Sequence, residues 1–342
     1  MTTNYLRPAG QPPNSGVDVT DLAPVALFAW QRPSHTERVL CSLAANTEAR
    51  QTDVLAFIDG PRHAREAERV DQVIDLVGSA ASEFRSLSIQ VSPENKGLSR
   101  AITSGVTHVL WDYERVIVVE DDIVVSRSFL AYMNDHLDLY ADSPSVASIH
   151  GYIYPHSFDL PTTFFIAGAD CWGWATWRRA WEHYRSDGSA LLQELTKRDL
   201  LATFDFGGTA GYVDMLRDQI AGRNDSWAVR WYASTFLDGM FTLYPGRSLA
   251  TNIGGDGSGN HGGLSGAFDV EISHDPVPPV RIPIEESLTG RAAFSEFFAS
   301  QRFRVGPALL DQLARRILRR VWIRLPVRVR SLVLARSRTK RV

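Results

Sequence analysis

Cysteine is almost missing: Cys41 and Cys171 are the only two in 342 residues. They offer no disulfide framework and no zinc-ligand spacing, so both are expected to be reduced and buried in a cytoplasmic protein. Long apolar runs are missing as well. No uninterrupted stretch approaches the ~18 residues that suggest a membrane-crossing helix, and residues 1–20, "MTTNYLRPAGQPPNSGVDVT", lack the basic start and apolar middle of a secretory signal. They read as a flexible leader. A Gly-rich phosphate loop is also absent after the first apolar run, where "WQRP" stands, which removes both the dinucleotide fingerprint and the P-loop. Outside the C-terminal tail there is no basic, aromatic groove, so nucleic acid is not an expected partner.

What is present describes a folded globule: 44% hydrophobic residues and 10% aromatics, in a chain long enough for one large α/β domain with additions. The net charge of -3 hides an asymmetry. Residues 302–342 hold thirteen Lys or Arg against one acid, Asp311, a local +12 that leaves -15 on the remainder. That tail interleaves Leu, Ile, Val and Trp322 with arginines, as an amphipathic basic helix broken near Pro326 would. Two readings stand: the tail lies on an anionic membrane surface, or it packs with its arginines solvated or paired to the acidic body.

The periodicity alternates strand and helix. "PVALFAW" (24–30), "DVLAFID" (53–59), "LSIQVS" (87–92) and "RVIVVEDD" (115–122) read as strands. Helices are expected from "SHTERVLCSLAAN" (34–46, with Ser34 as N-cap), from residues 63–77 and from "GLSRAITSGVTHVLW" (97–111). That order predicts a mostly parallel central sheet flanked by helices, with ligands at the carboxyl ends of the strands. Residues 21–274 are expected to form one domain whose 126–274 half caps its 21–125 half, which the resemblance described below makes the acceptor and nucleotide-binding halves; residues 275–342 are a connector and the basic tail.

Glu120, Asp121 and Asp122 end the fourth strand. An unpaired buried carboxylate costs several kcal/mol by the usual reckoning, and adjacent like charges add to it. A divalent cation held by one or two carboxylates, phosphate oxygens and water answers that cost. The other reading puts the triplet in an exposed turn at the start of a helix in "SRSFLAYMNDHL". At the neighbouring strand ends stand Trp30 and Arg32, then Asp59 in "IDGPR", then Lys96, Gly97 and Arg100 in "SPENKGLSR". Each is weak alone; around one cleft they describe a nucleotide pocket.

In order, "PVALFAWQRPSHTERVLCSL", "FIDGPR", "ENKGLSRAI" and "RVIVVEDDIVVSRSFLAYMN" resemble the donor-binding segments of GT-A glycosyltransferases, especially bacterial family 2-like sugar transferases. They are also similar to those of the N-acetylglucosaminyltransferase that starts complex N-glycans, whose metal motif is likewise Glu-Asp-Asp. The resemblance spans about residues 23–270. It implies a GT-A fold, with Glu120 and Asp121 near ribose and metal, Asp122 as the direct Mn2+ or Mg2+ ligand, and Asp59 on the base. "DCWGWATWRRAW" is similar to the family's acceptor-side segment, which assigns Trp172, Gly173 and Trp174 to acceptor or sugar; the tryptophans also read as core. "NDSWAVRW" resembles the stretch with the catalytic aspartate, so Asp225 is the candidate base, or else an N-cap. "TNIGGDGSGNHGG" resembles a late flexible loop, in which His261 meets the diphosphate or is a turn residue.

The function this implies is metal-dependent, inverting transfer of a sugar from a nucleotide-diphosphate donor to a hydroxyl on a glycan or lipid-linked acceptor. It would serve bacterial surface glycan synthesis at the cytoplasmic face of the membrane. Two alternatives are kept: a sugar-1-phosphate nucleotidyltransferase, and a non-catalytic glycan-binding protein on a transferase fold.

Overall fold

In the computed structural model, which describes residues 22–256 and 266–301, the apolar run Val25–Ala29 forms β1, buried along its whole length. The expected alternation follows: α1 (Pro33–Ala44), β2 (Asp53–Ile58), α2 (Ala64–Ser79), β3 (Ser86–Val91), α3 (Leu98–Asp112) and β4 (Arg115–Glu120). Helix α1 starts one residue before the expected Ser34 cap. Pro33 stands in its first turn, where a missing N–H leaves nothing unsatisfied, and Arg32 precedes it.

After β4 come β5 (Ile123–Val125), α4 (Phe129–Leu139), β6 (Val146–His150), β7 (Thr163–Ala167), β8 (Trp174–Trp177), α5 (Arg178–Trp181) and α6 (Gly188–Lys197). Then follow α7 (Leu201–Phe204), α8 (Tyr212–Ile220), α9 (Trp227–Leu237), β9 (Phe241–Pro245) and β10 (Ala250–Asn252). Eight strands join in the order β3-β2-β1-β4-β8-β6-β9-β7. β1 to β4 pair in parallel, and β6 and β9 share their direction because β8 opposes both β4 and β6. Only β8 and β7 are reversed. The sheet is therefore mostly parallel, with central strands buried on both faces and an exposed edge at β3.

This order creates the site. From β1 the chain steps outward to β2 and β3, then returns to place β4 on the other side of β1. The ends of β1 and β4 thus lie side by side at a topological switch point, where open α/β sheets take ligands.

Three expectations need correction. The acidic triplet does not begin a helix: Asp121 and Asp122 form a turn into β5, which pairs antiparallel with β10, and α4 starts only at Phe129. Cys41 is exposed and Cys171 half-buried, because Cys41 falls on the outer face of α1 while its Val39, Leu40 and Leu43 face the core. Residues 275–295 are not a free connector. The Ile282 amide donates to Tyr140 Oη at 3.0 Å, Ser287 N–H to the Phe165 carbonyl at 2.9 Å, and Glu286 bridges to edge strand β7. The compact unit thus extends through Ser295, past the expected boundary at 274. The calls on the leader 1–20, on His261 and on the basic tail 302–342 lie outside the described residues.

Candidate active site

At the switch point Arg32, just past β1, meets the acids just past β4. Its guanidinium Nη2 donates to Asp121 Oδ1 and, at 3.0 Å, to Asp122 Oδ2, while Nε reaches Asp121 Oδ2 at 3.4 Å. The Trp30 amide also donates to Asp121 Oδ2, at 3.3 Å. Desolvation works against the Arg32 charge, but Asp121 and Asp122 outweigh it and raise its pKa. Burial lifts the Asp121 carboxyl above its ordinary range; Arg32 pulls it down and Asp122 pushes it further up. From the other side, residue 254 closes on the pair. A Cβ there would clash with Asp122 Oδ2 and come within 3.2 Å of Arg32 Nη1, so a larger residue would have to push those side chains aside. The Ile253 amide donates to the Asp122 carbonyl at 2.8 Å, and His35 of α1 pairs with Asp256 at 3.3 Å.

Glu120 has no hydrogen-bond or ion-pair partner among the described residues. Its carboxyl is pushed up to about 8, by burial first, then by Asp122 and Asp121, against the pull of Arg32. One guanidinium facing three carboxylates leaves an excess of acid, so the corner suits a further cation. Among the described residues no three His, Cys, Asp or Glu side chains converge as a ready-made metal cage. Asp122 and Glu120 are the carboxylates here that could hold a divalent ion, which needs only one or two of them when other oxygens complete its shell.

Asp59 has a structural role that the sequence did not show. Its Oδ1 accepts the amides of Gly60 (3.0 Å) and Lys96 (2.8 Å), and its Oδ2 accepts that of Gly97 (3.0 Å). These three backbone donors tie the loop after β3 to the end of β2 and leave one acceptor site on Oδ2. Lys96 and Arg100 are exposed, with no side-chain partner among the described residues, and Gly97 precedes α3 without a side-chain cap. Trp30 is half-buried; its indole N–H donates to the Gly60 carbonyl at 3.0 Å and Arg62 stacks over its ring at 4.2 Å.

On the second half, Trp174 is wholly buried among Trp181, Trp227 and Trp231, with ring centroids 5.5 to 6.0 Å apart. No face is left for a sugar, which removes it from the acceptor set. Trp172 is half-buried, set edge-on against Tyr152 and Phe268. Gly173 has φ +66° and packs against Ile123, just beyond the acids. Asp225 is 69% exposed and is not an N-cap, since Ser226 caps α9 by accepting the Val229 amide. It lies 3.5 Å from Arg230, whose Nη2 donates to Ser99 Oγ at 2.6 Å, beside the start of α3.

Sequence reasoning missed Asp170. The antiparallel register of β8 on β4, with Trp174 opposite Val118, carries the residues before Trp174 past the end of β4. Asp170 accepts the Cys171 amide at 2.9 Å and the Tyr154 hydroxyl at 2.7 Å. Burial first, then Asp170, Glu120 and Asp122, raises the Cys171 thiol pKa, as expected of a loop lying against the triplet. The available signal was a lone acid between a buried strand and a Gly-containing turn; Arg62 and Gly254 carried none.

No protein-family model matches the chain, and no curated protein matches it by sequence. Solved structures that resemble it include S. aureus TarS, at 13% identity and a TM-score of 0.30 over 42% of this chain. The chain spans about a quarter of TarS, 24% of its length. A putative glucose-1-phosphate thymidylyltransferase from Bacillus anthracis matches at 12% identity and TM-score 0.31, over 47% of this chain and 74% of that one. A UDP-glucose pyrophosphorylase matches at 10% identity and TM-score 0.32, over 66% and 90%. At such scores these likenesses assign neither a family nor an activity, and none of the three links the chain to the N-acetylglucosaminyltransferase.

Proposed function

We propose that the protein is a metal-dependent, inverting glycosyltransferase that moves a sugar from a nucleotide-diphosphate donor to a hydroxyl acceptor. One observation carries this reading: Asp121 and Asp122, next to Glu120 at the end of β4, meet Arg32 at the switch point between β1 and β4. Asp122 and Glu120 would hold Mn2+ or Mg2+, which when bound neutralises charge on a leaving diphosphate. Arg32, Lys96, Arg100 and the uncapped start of α3 are suited to phosphate oxygens. Trp30 and Arg62 offer a flat surface for a base. Asp225, exposed and close to the start of α3, would take the acceptor proton, a contribution of roughly 10²–10⁴-fold. Trp172 and Gly173 would border the acceptor.

A melting screen with UDP, GDP and dTDP, each with and without Mn2+, tests the reading. A metal-dependent shift with one nucleotide, lost in Asp122→Ala together with transfer, is expected; an unchanged shift in that variant removes the metal site. Asp225→Asn should keep the shift and lose transfer. The nucleotidyltransferase alternative lacks a Gly-rich loop, since the chain passes from Trp30 through Arg32 straight into α1. The reaction product decides between them, a nucleoside diphosphate for transfer or pyrophosphate for nucleotidyl chemistry. No helix of the described residues is long and apolar enough to cross a membrane. The +12 charge of residues 302–342 supports contact with an anionic surface, which co-sedimentation with phosphatidylglycerol vesicles would measure.

A further inference from the structure

We propose that Arg32 is a built-in counter-cation that competes with the divalent metal for Asp121 and Asp122, so that metal binds well only when a diphosphate draws the guanidinium away. The inference rests on the donor-site reading above and adds a coupling to it. The guanidinium forks across both aspartates and takes both oxygens of Asp121 and one of Asp122. A cation seated on Asp122 would therefore face a fixed positive charge and lose the very oxygen that Arg32 holds. The Trp30 amide also holds Asp121, at 3.3 Å, and Gly254 lies next to the Asp122 and Arg32 side chains.

The fork does have a way out, because 19% of the Arg32 side chain stays solvent-accessible. A planar guanidinium matches two phosphate oxygens as well as it matches a carboxylate. Binding of a diphosphate would thus satisfy Arg32, free Asp122 and supply the remaining metal ligands in one event. By linkage, metal and diphosphate each raise the affinity of the other. When both are absent, the same fork gives Asp121 and Asp122 their counter-charge.

The test is Mn2+ alone, followed by paramagnetic resonance of the free ion, on the full chain and on R32Q and R32K. Arg32→Gln should bind Mn2+ about tenfold more tightly than wild type, within the usual range of coupling between sites. Arg32→Lys keeps the charge but cannot fork, so it should fall nearer to R32Q than to wild type. In the same series R32Q should melt lower than wild type without metal and gain more from added Mn2+. Equal Mn2+ affinity in R32Q and wild type overturns the competition. So does tightening in R32Q with R32K unchanged, which leaves simple charge repulsion as the cause, and so does an absence of Mn2+ uptake by all three proteins. Failure of the inference alone leaves intact the metal-dependent nucleotide shift of the wild type; failure of the transferase reading abolishes that shift itself.

Discussion

The carboxylate of Asp59 accepts the amide of Gly97 at 3.0 Å, joining residues 38 apart in the chain. Gly97 has φ +79°, a left-handed conformation in which glycine carries no Cβ penalty, and it turns the chain into α3. With Lys96 and Gly60 as further donors, one side chain organises the ends of two strands and the start of a helix. The tie holds the segment that carries Lys96 and Arg100 against the end of β2.

Asp59→Asn tests that tie. An amide replaces one acceptor oxygen by a donor, so at least one backbone N–H loses its partner, at a cost of about 1–3 kcal/mol. Urea denaturation should show that loss, and nucleotide affinity should fall with it. A stable variant with weaker nucleotide binding would put Asp59 on the base as well.

Glu120→Gln should stabilise the metal-free protein while weakening metal-dependent nucleotide binding. Glu120 has no partner among the described residues, and burial with two neighbouring acids disfavours its charge. Removing that charge should raise stability on the order of 1 kcal/mol. Melting in EDTA and then in Mn2+ measures both effects, which should have opposite signs.

Trp174→Ala and Trp172→Ala should separate core from cleft. Trp174 is fully buried in a cluster of tryptophans, so its truncation should cost ~3–5 kcal/mol. Trp172 is half-buried, and its loss should be smaller in stability and larger in transfer. Comparison of denaturation midpoints with turnover checks the contrast.

His150 sets a pH dependence. It is fully buried, its Nδ1–H donates to the Tyr152 carbonyl at 2.7 Å, and its Nε2 accepts the Trp172 amide at 3.0 Å. Burial lowers its pKa from 6.5, with Asp170 and the Tyr152 carbonyl working the other way. Because the folded value is the lower one, the unfolded chain takes up the proton first. His150 therefore contributes full stability above 6.5, and that contribution declines as pH falls from there through the folded value. Denaturation midpoints between roughly pH 8 and pH 5 should fall for wild type and fall less for His150→Gln.

Much of the architecture was legible from local pattern. The apolar runs at β1, β2 and β4, the amphipathic helices between them, and the acids closing β4 are all short-range features, and burial of a strand or a helix face demands just that periodicity. The sequence by itself therefore determined the alternation of elements and put Trp30, Asp59 and Glu120 at strand ends. Tertiary structure alone decided what each side chain does there. Asp59 is claimed by amides 37 and 38 residues away, Asp121 by an arginine 89 residues away, and Trp174 by helices packed across the sheet. A carboxylate's local sequence says that it needs donors or a cation. Which of them arrives depends on the strand order that folds distant segments together.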